Sequence, residues 1–186
     1  MKFFKMFEDD IFKSIGIYAM TFFAIIIFFW FLLTYCFFHY TLSDDGMEPF
    51  LKANQEAHSF VFHPSNIERG DIVIVRNSDD SGYVVRRVIA LPMDTVTCID
   101  EIIYVNGEPI QEDYLDKEFV EKTRRRKGYF TKNFDLVELW EKEYFLLGDN
   151  RPATQEKDSR ALGSYVENRI LADSLILNGN LFEIIK

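Results

Sequence analysis

Cysteine occurs only twice in this sequence, at Cys36 and Cys98, which excludes a disulfide-stapled scaffold and a four-thiolate zinc site. Basic residues are outnumbered, with 21 Lys and Arg against 30 Asp and Glu. The net charge of −9 and a pI near 4.9 exclude nucleic acid as a main partner, because phosphate binding needs a positive surface. The chain shows no internal repeat, low-complexity tract, nucleotide-binding glycine loop or metal-ligand spacing, so neither a metal nor a cofactor is expected. A length of 186 residues leaves room for one medium domain and an appendage. Aromatic side chains are in excess, and unevenly so: residues 1–38 hold 14 of the 30.

Charge is absent altogether from Ser14 to Phe38, 25 residues with no polar face. As a helix rising ~1.5 Å per residue this run reaches roughly 37 Å, enough to cross a hydrocarbon core of ~30 Å with some tilt. It is too long for the apolar stretch of a cleaved signal peptide, and no small-x-small pair precedes a cut in the residues that follow. Trp30 and Tyr35 toward its outer half, with Tyr40 just beyond, suit the headgroup region. Lys2, Lys5 and Lys13 precede the run, and the next Lys or Arg is Lys52. The positive-inside rule therefore predicts a cytoplasmic tail at 1–13, a transmembrane helix at 14–38 and an extracytoplasmic domain at 39–186 in a plasma membrane, contacting its lipid. Cys36 and Cys98 fall on different sides of that division and are not expected to pair.

Residues 39–186 carry the whole negative excess. Their apolar segments are short and rich in β-branched residues: Asp71–Val75, Tyr83–Leu91, Thr95–Cys98, Ile102–Val105 and Glu143–Leu147. Turn signals separate them, and Asn106-Gly107 predicts a type I′ hairpin. Helical periodicity is weak and confined to Asp116–Lys127. The class is mostly β. The basic run Arg124–Lys127 reads either as a solvated charged face or as a contact for an acidic partner or anionic headgroups.

Four blocks carry a resemblance. They are Asp44-Asp45-Gly46-Met47-Glu48-Pro49, then Arg69-Gly70-Asp71 opening an apolar strand, then Val85-Arg86-Arg87-Val88-Ile89-Ala90-Leu91-Pro92-Met93-Asp94, and finally Gly148-Asp149-Asn150-Arg151 with Asp158-Ser159-Arg160 following. In this order, behind one apolar helix, they resemble the type I signal peptidase family (S26), over nearly the whole chain. That resemblance implies a mostly β domain behind a single N-terminal transmembrane helix. The family cleaves signal peptides with a Ser-Lys dyad, the serine attacking the carbonyl and a neutral lysine acting as base.

On this resemblance the nucleophile position is Gly46, the base position Arg86 and the oxyanion position Asp44. Glycine has no atom with which to attack. An arginine side chain keeps its proton and cannot take one from a hydroxyl. A carboxylate repels a developing oxyanion. Ser43 is out of register with the nucleophile, and Asp44 with Asp45 is a poor carboxylate pair, since neighbours on an extended segment point apart. His39, His58 and His63 match no catalytic position and read as surface residues. The peptide-binding and scaffold positions remain: Asp45, Met47, Pro49, Arg87, Asp149, Asp158, Ser159 and Arg160, with Thr154 in place of the serine that orients the lysine. With the fold preserved, Arg86 is expected to lie within ion-pair reach of Asp44 or Asp45.

The lost dyad, single anchor and small size are similar to the non-catalytic homologues of pilus gene clusters in Gram-positive cocci. That implies a pseudoenzyme chaperone at the cell surface, with a pilin subunit or signal-peptide-like segment and a sortase as partners. The alternatives are an active peptidase with relocated groups and a regulatory partner of a genuine signal peptidase.

Overall fold

The computed structural model describes residues 2–35, 37–60, 66–77, 82–172, 175–177 and 184–185. Cys36 and His63 lie outside these residues. The chain divides into two units, residues 1–38 and 39–186.

The first unit is dominated by helix α1, Lys2–Tyr35. Its stretch Lys13–Leu32 is long and apolar enough to cross a membrane, and none of it is buried against the rest of the chain. The helix differs from the expected span at both ends. It starts within the expected tail, because residues 2–13 contain no Gly or Pro to stop it. It ends at Tyr35, so Phe37 and Phe38 open the first strand, β1 (Phe37–Thr41), where aromatic residues also fit.

The second unit is mostly β. Five segments predicted as strands are strands: β3 Ile72–Arg76, β4 Tyr83–Ala90, β5 Thr95–Ile99, β6 Ile102–Val105 and β9 Glu143–Leu147. The others are β2 Glu56–Phe60, β7 Glu108–Pro109, β8 Phe134–Glu138, β10 Tyr165–Val166, β11 Ile170–Ala172, β12 Leu175–Leu177 and β13 Ile184–Ile185. They form three sheets, in the orders β1-β2-β12-β13, β10-β9-β4-β3-β11 and β7-β6-β5-β8. Asn106 and Gly107 take φ of 54° and 81° between β6 and β7, the positive values that a type I′ turn needs. Helix α2, Lys117–Lys127, carries the basic run at its C-terminal end, where cations face the favourable pole of the dipole.

Strand β4 is the centre of the five-stranded sheet, flanked by β3 and β9 and buried from Val84 to Ala90. On one side Val73, Val75, Val88, Leu146 and Tyr165 pack together. On the other, Ile89, Phe145 and Leu147 pack with Val96, Cys98, Ile103 and Val105 of the third sheet. Cys98 is a buried free thiol in this core. His39 and His58, expected as surface residues, are exposed and half-buried, and their rings meet, with Nδ1 atoms 3.4 Å apart and centroids at 4.8 Å.

Candidate functional site

The site is built around β4. Successive side chains on a strand point to opposite faces, so Arg86 and Arg87 serve two separate charge clusters. Arg86 is fully buried. Its Nη2 donates to Asp44 Oδ2 at 2.6 Å and its Nη1 to Asp44 Oδ1 at 3.2 Å, a two-point guanidinium–carboxylate pair. Nη1 also donates to the Val85 carbonyl at 2.7 Å and Nη2 to that of Lys157 at 3.3 Å, while Nε is buried without a partner. Asp44 accepts in addition from the Gly46 N–H at 3.1 Å. Burial raises the pKa of this carboxyl, but the Arg86 hydrogen bond and charge and the Gly46 N–H outweigh it and hold it below 3.8. Asp45 is not the partner: it is exposed, and its carbonyl accepts from Asn150 Nδ2 at 3.1 Å.

Gly46 is enclosed. A Cβ there would stand 2.7 Å from Arg86 Nη1, 2.7 Å from Thr154 Cγ2 and 2.9 Å from Asp44 Oδ1. A Cβ at Gly148 would meet the same threonine at 2.5 Å and the Gly46 carbonyl at 2.6 Å. Thr154 therefore fills the space over both glycines. Its hydroxyl donates to the Asn150 carbonyl and accepts from Arg160 Nη2, each at 3.2 Å. The Asn150 N–H in turn donates to the Gly46 carbonyl at 2.8 Å, fixing the segment from Asp45 to Gly46 against the turn after β9.

The second cluster braces the first. Arg87 grips Asp149 through Nε at 2.8 Å and Nη2 at 2.6 Å, donates to the Gly70 carbonyl at 2.7 Å, and lies 4.1 Å above the Tyr114 ring. Arg160 holds Asp158 at 2.9 and 2.7 Å. Asp158 also caps the short helix α3 (Ser159–Leu162) by accepting from the Arg160 N–H. Ser159 Oγ accepts from the Leu146 N–H at 2.9 Å, tying that helix to β9. Arg151, fully buried, donates to Glu112 at 2.5 Å and to the Gly148 carbonyl at 2.8 Å. Met47 is buried and Pro49 exposed at the other end of the segment.

An open cleft of about 530 Å³ lies beside the Arg86–Asp44 pair, lined by Ser43, Asp44, Asn77, Val84, Arg86, Glu156, Lys157 and Leu162. Ser43 Oγ is engaged with the Tyr40 hydroxyl at 3.2 Å. Among the described residues no group of three or more His, Cys, Asp or Glu is placed to hold a metal ion.

The profile of the family "Signal peptidase, peptidase S26" matches residues 15–177. The chain belongs to the S26 signal peptidase family. Signal peptidase I S of Bacillus subtilis is 34% identical over 140 residues, 73% of each chain. Signal peptidase IB of Staphylococcus aureus is 30% identical over 144 residues, 71% of this chain and 72% of that one. A crystal structure of a signal peptidase I from Enterococcus faecalis V583 is 27% identical, with a TM-score of 0.49 over 59% of this chain and 97% of that one.

Within this S26 chain the residues singled out from sequence gather round β4 and the turn after β9. Sequence reasoning missed Glu112 and Tyr114, which complete the Arg151 and Arg87 contacts from the loop before α2. Their only signal was an acid and an aromatic residue in an otherwise featureless stretch.

Proposed function

We propose that this S26 protein is a catalytically disarmed signal peptidase homologue that binds a peptide segment at the outer membrane face. The observation that supports this most directly is the Arg86–Asp44 pair beside Gly46. A peptidase of this family needs a hydroxyl and a base that can become neutral at those two positions. Here a fully buried guanidinium is held by a carboxylate in two-point contact, and the neighbouring residue has no side chain. A paired guanidinium cannot act as general base. The cleft of about 530 Å³ beside it is open to an extended segment even without chemistry. The role that fits a non-cutting peptide binder on a single anchor is that of a chaperone in sortase-mediated pilus assembly, with a pilin subunit as ligand. The N-terminal end of α1 is cytoplasmic on this reading and residues 39–186 face outward.

The test is cleavage of a signal-peptide substrate by the full chain in detergent, beside a variant carrying Gly46→Ser, Arg86→Lys and Thr154→Ser. The third change is needed because the Thr154 methyl occupies the space of a new Cβ. The native chain is expected to bind the substrate and leave it intact. Cleavage by the native chain would overturn the reading. In a pilus-bearing host, deletion of the gene is expected to abolish pilin polymers, and the native gene supplied in trans to restore them.

A further inference from the structure

Strands β1 and β2 bracket the segment that carries Asp44, Gly46 and Met47, so whatever joins them fixes the base of that segment. The Leu42 N–H donates to the Gln55 carbonyl at 3.0 Å, and the Asn54 N–H to the Leu42 carbonyl at 2.9 Å. Continued antiparallel from Leu42 and Gln55, this register sets Thr41 opposite Glu56, Tyr40 opposite Ala57 and His39 opposite His58. Burial alternates to match. Tyr40, Leu42, Ala57 and Ser59 are buried, whereas His39, Thr41 and Glu56 are exposed and His58 is half-buried. Hydrogen-bonded and non-hydrogen-bonded pairs alternate along such a ladder, and His39 with His58 falls on a non-hydrogen-bonded pair, where facing side chains come closest.

The two rings meet by their nitrogens. Their Nδ1 atoms are 3.4 Å apart and their centroids 4.8 Å, so the Nδ1 edges are the near ones. As a hydrogen bond this contact is long, because N–H donors sit ~2.7–3.2 Å from their acceptors. As a chelate it fits. Two imidazole nitrogens, each ~2.0–2.1 Å from a tetrahedral Zn2+, stand ~3.3–3.4 Å apart. Around a square-planar ion, the arrangement that Cu2+ and Ni2+ favour, neighbouring nitrogens at such bond lengths stand only ~2.9 Å apart. Ca2+ and Mg2+ take oxygen ligands instead. Glu56 shares the outer face, diagonal to His39, and its negative charge favours a cation there. It does not join the rings in a three-ligand group among the described residues, so water completes the coordination, as at open zinc sites.

We infer that His39 and His58 form a two-histidine Zn2+ site that clamps β1 to β2 at the base of the segment bearing Gly46. The site is separate from the Arg86–Asp44 pair and holds whether or not the neighbouring cleft cuts.

The test is calorimetric titration of Zn2+ into the full chain in detergent, purified without a histidine tag and stripped of metal with a chelator. One Zn2+ is expected to bind per chain. His39→Gln and His58→Gln are each expected to weaken binding about tenfold or more, since even partners outside the metal's own ligands matter by ~10–100-fold. Both changes are on the outer face, so the metal-free melting temperature of each variant is expected to equal that of the native chain. Cys36→Ser is expected to leave binding unchanged, which separates imidazole from thiolate binding. Amide hydrogen exchange at Leu42 and Asn54 reads the clamp itself: Zn2+ is expected to slow both in the native chain and neither in the two histidine variants. Four results overturn the inference. They are no Zn2+ binding, binding that survives both histidine changes, equal binding of Ca2+ or Mg2+, or binding that leaves exchange at Leu42 and Asn54 unaltered.

Discussion

At the scale of the residue, the charged pair beside Gly46 decides what the site can do and how it responds to acid. Arg86 is fully buried, so removing its partner leaves an uncompensated cation inside the protein. Asp44→Asn is expected to cost about 3–5 kcal/mol in urea denaturation. The pKa of Asp44 lies below the ordinary 3.8 because Arg86 and the Gly46 N–H outweigh the effect of burial. A depressed carboxyl stabilises the fold above its unfolded value, and that contribution drains away as the pH falls through the folded value. Melting temperature followed from pH 7 to pH 2 should therefore show a steep loss below about pH 4, shallower in Asp44→Asn. An unchanged acid limb in the variant would mean that the pair is not what titrates. The pairing itself was legible in the sequence, since an arginine and two acids stood at positions that the motifs bring together. The choice of Asp44 over Asp45 was not. It depends on a bend at 44–46 held by Asn150, which no local pattern announces.

At the scale of the element, strands buried on both faces were the easy ones to read. β3 and β9 carry apolar runs at residues 72–75 and 144–147, and β4 is apolar on either side of Arg86 and Arg87, as burial on both faces demands. The sheet β1-β2-β12-β13 and the edge strand β8 were not predicted, because strands of two to five residues are too short to carry a periodic signal. The hairpin at Asn106-Gly107 was legible because its turn needs those residues. Asn106 also works as a connector: its Oδ1 accepts from the Thr95 N–H at 2.9 Å and its Nδ2 donates to Asp94 at 2.7 Å. Asn106→Ala loses both bonds and strains a φ of 54°. The expected cost is about 1–2 kcal/mol, measured by chemical denaturation, with Asn106→Gly losing less because glycine accepts the backbone angle.

At the scale of the whole molecule, the second and third sheets share one core, and Cys98 reports on it. Burial pushes the Cys98 thiol up to about 11, so the reactive thiolate is scarce at neutral pH. In a Cys36→Ser background, labelling of Cys98 by a thiol reagent at pH 8 should be slow in the folded chain and fast in denaturant. Its denaturant dependence is expected to match that of global unfolding, because Phe145 of one sheet and Val96 of the other pack in the same cluster. Rapid labelling under native conditions would show that the third sheet opens by itself. That two sheets flank one core could not be read from the sequence, where their strands look alike.

The contact between Thr154 and the two glycines has a consequence for descent. A chain with this site cannot arrive at serine in position 46 by one codon change without pressing a new carbon into a methyl group and a guanidinium, each 2.7 Å away. Overpacking of that kind costs about 1–3 kcal/mol, a large share of the stability margin of an ordinary domain. On the disarmed reading proposed above, a path to a nucleophile at position 46 first passes through Thr154 and Arg86, and neither step gains anything on its own. Crowding at one glycine acts as a ratchet, and selection for cleavage would have no first step to reward.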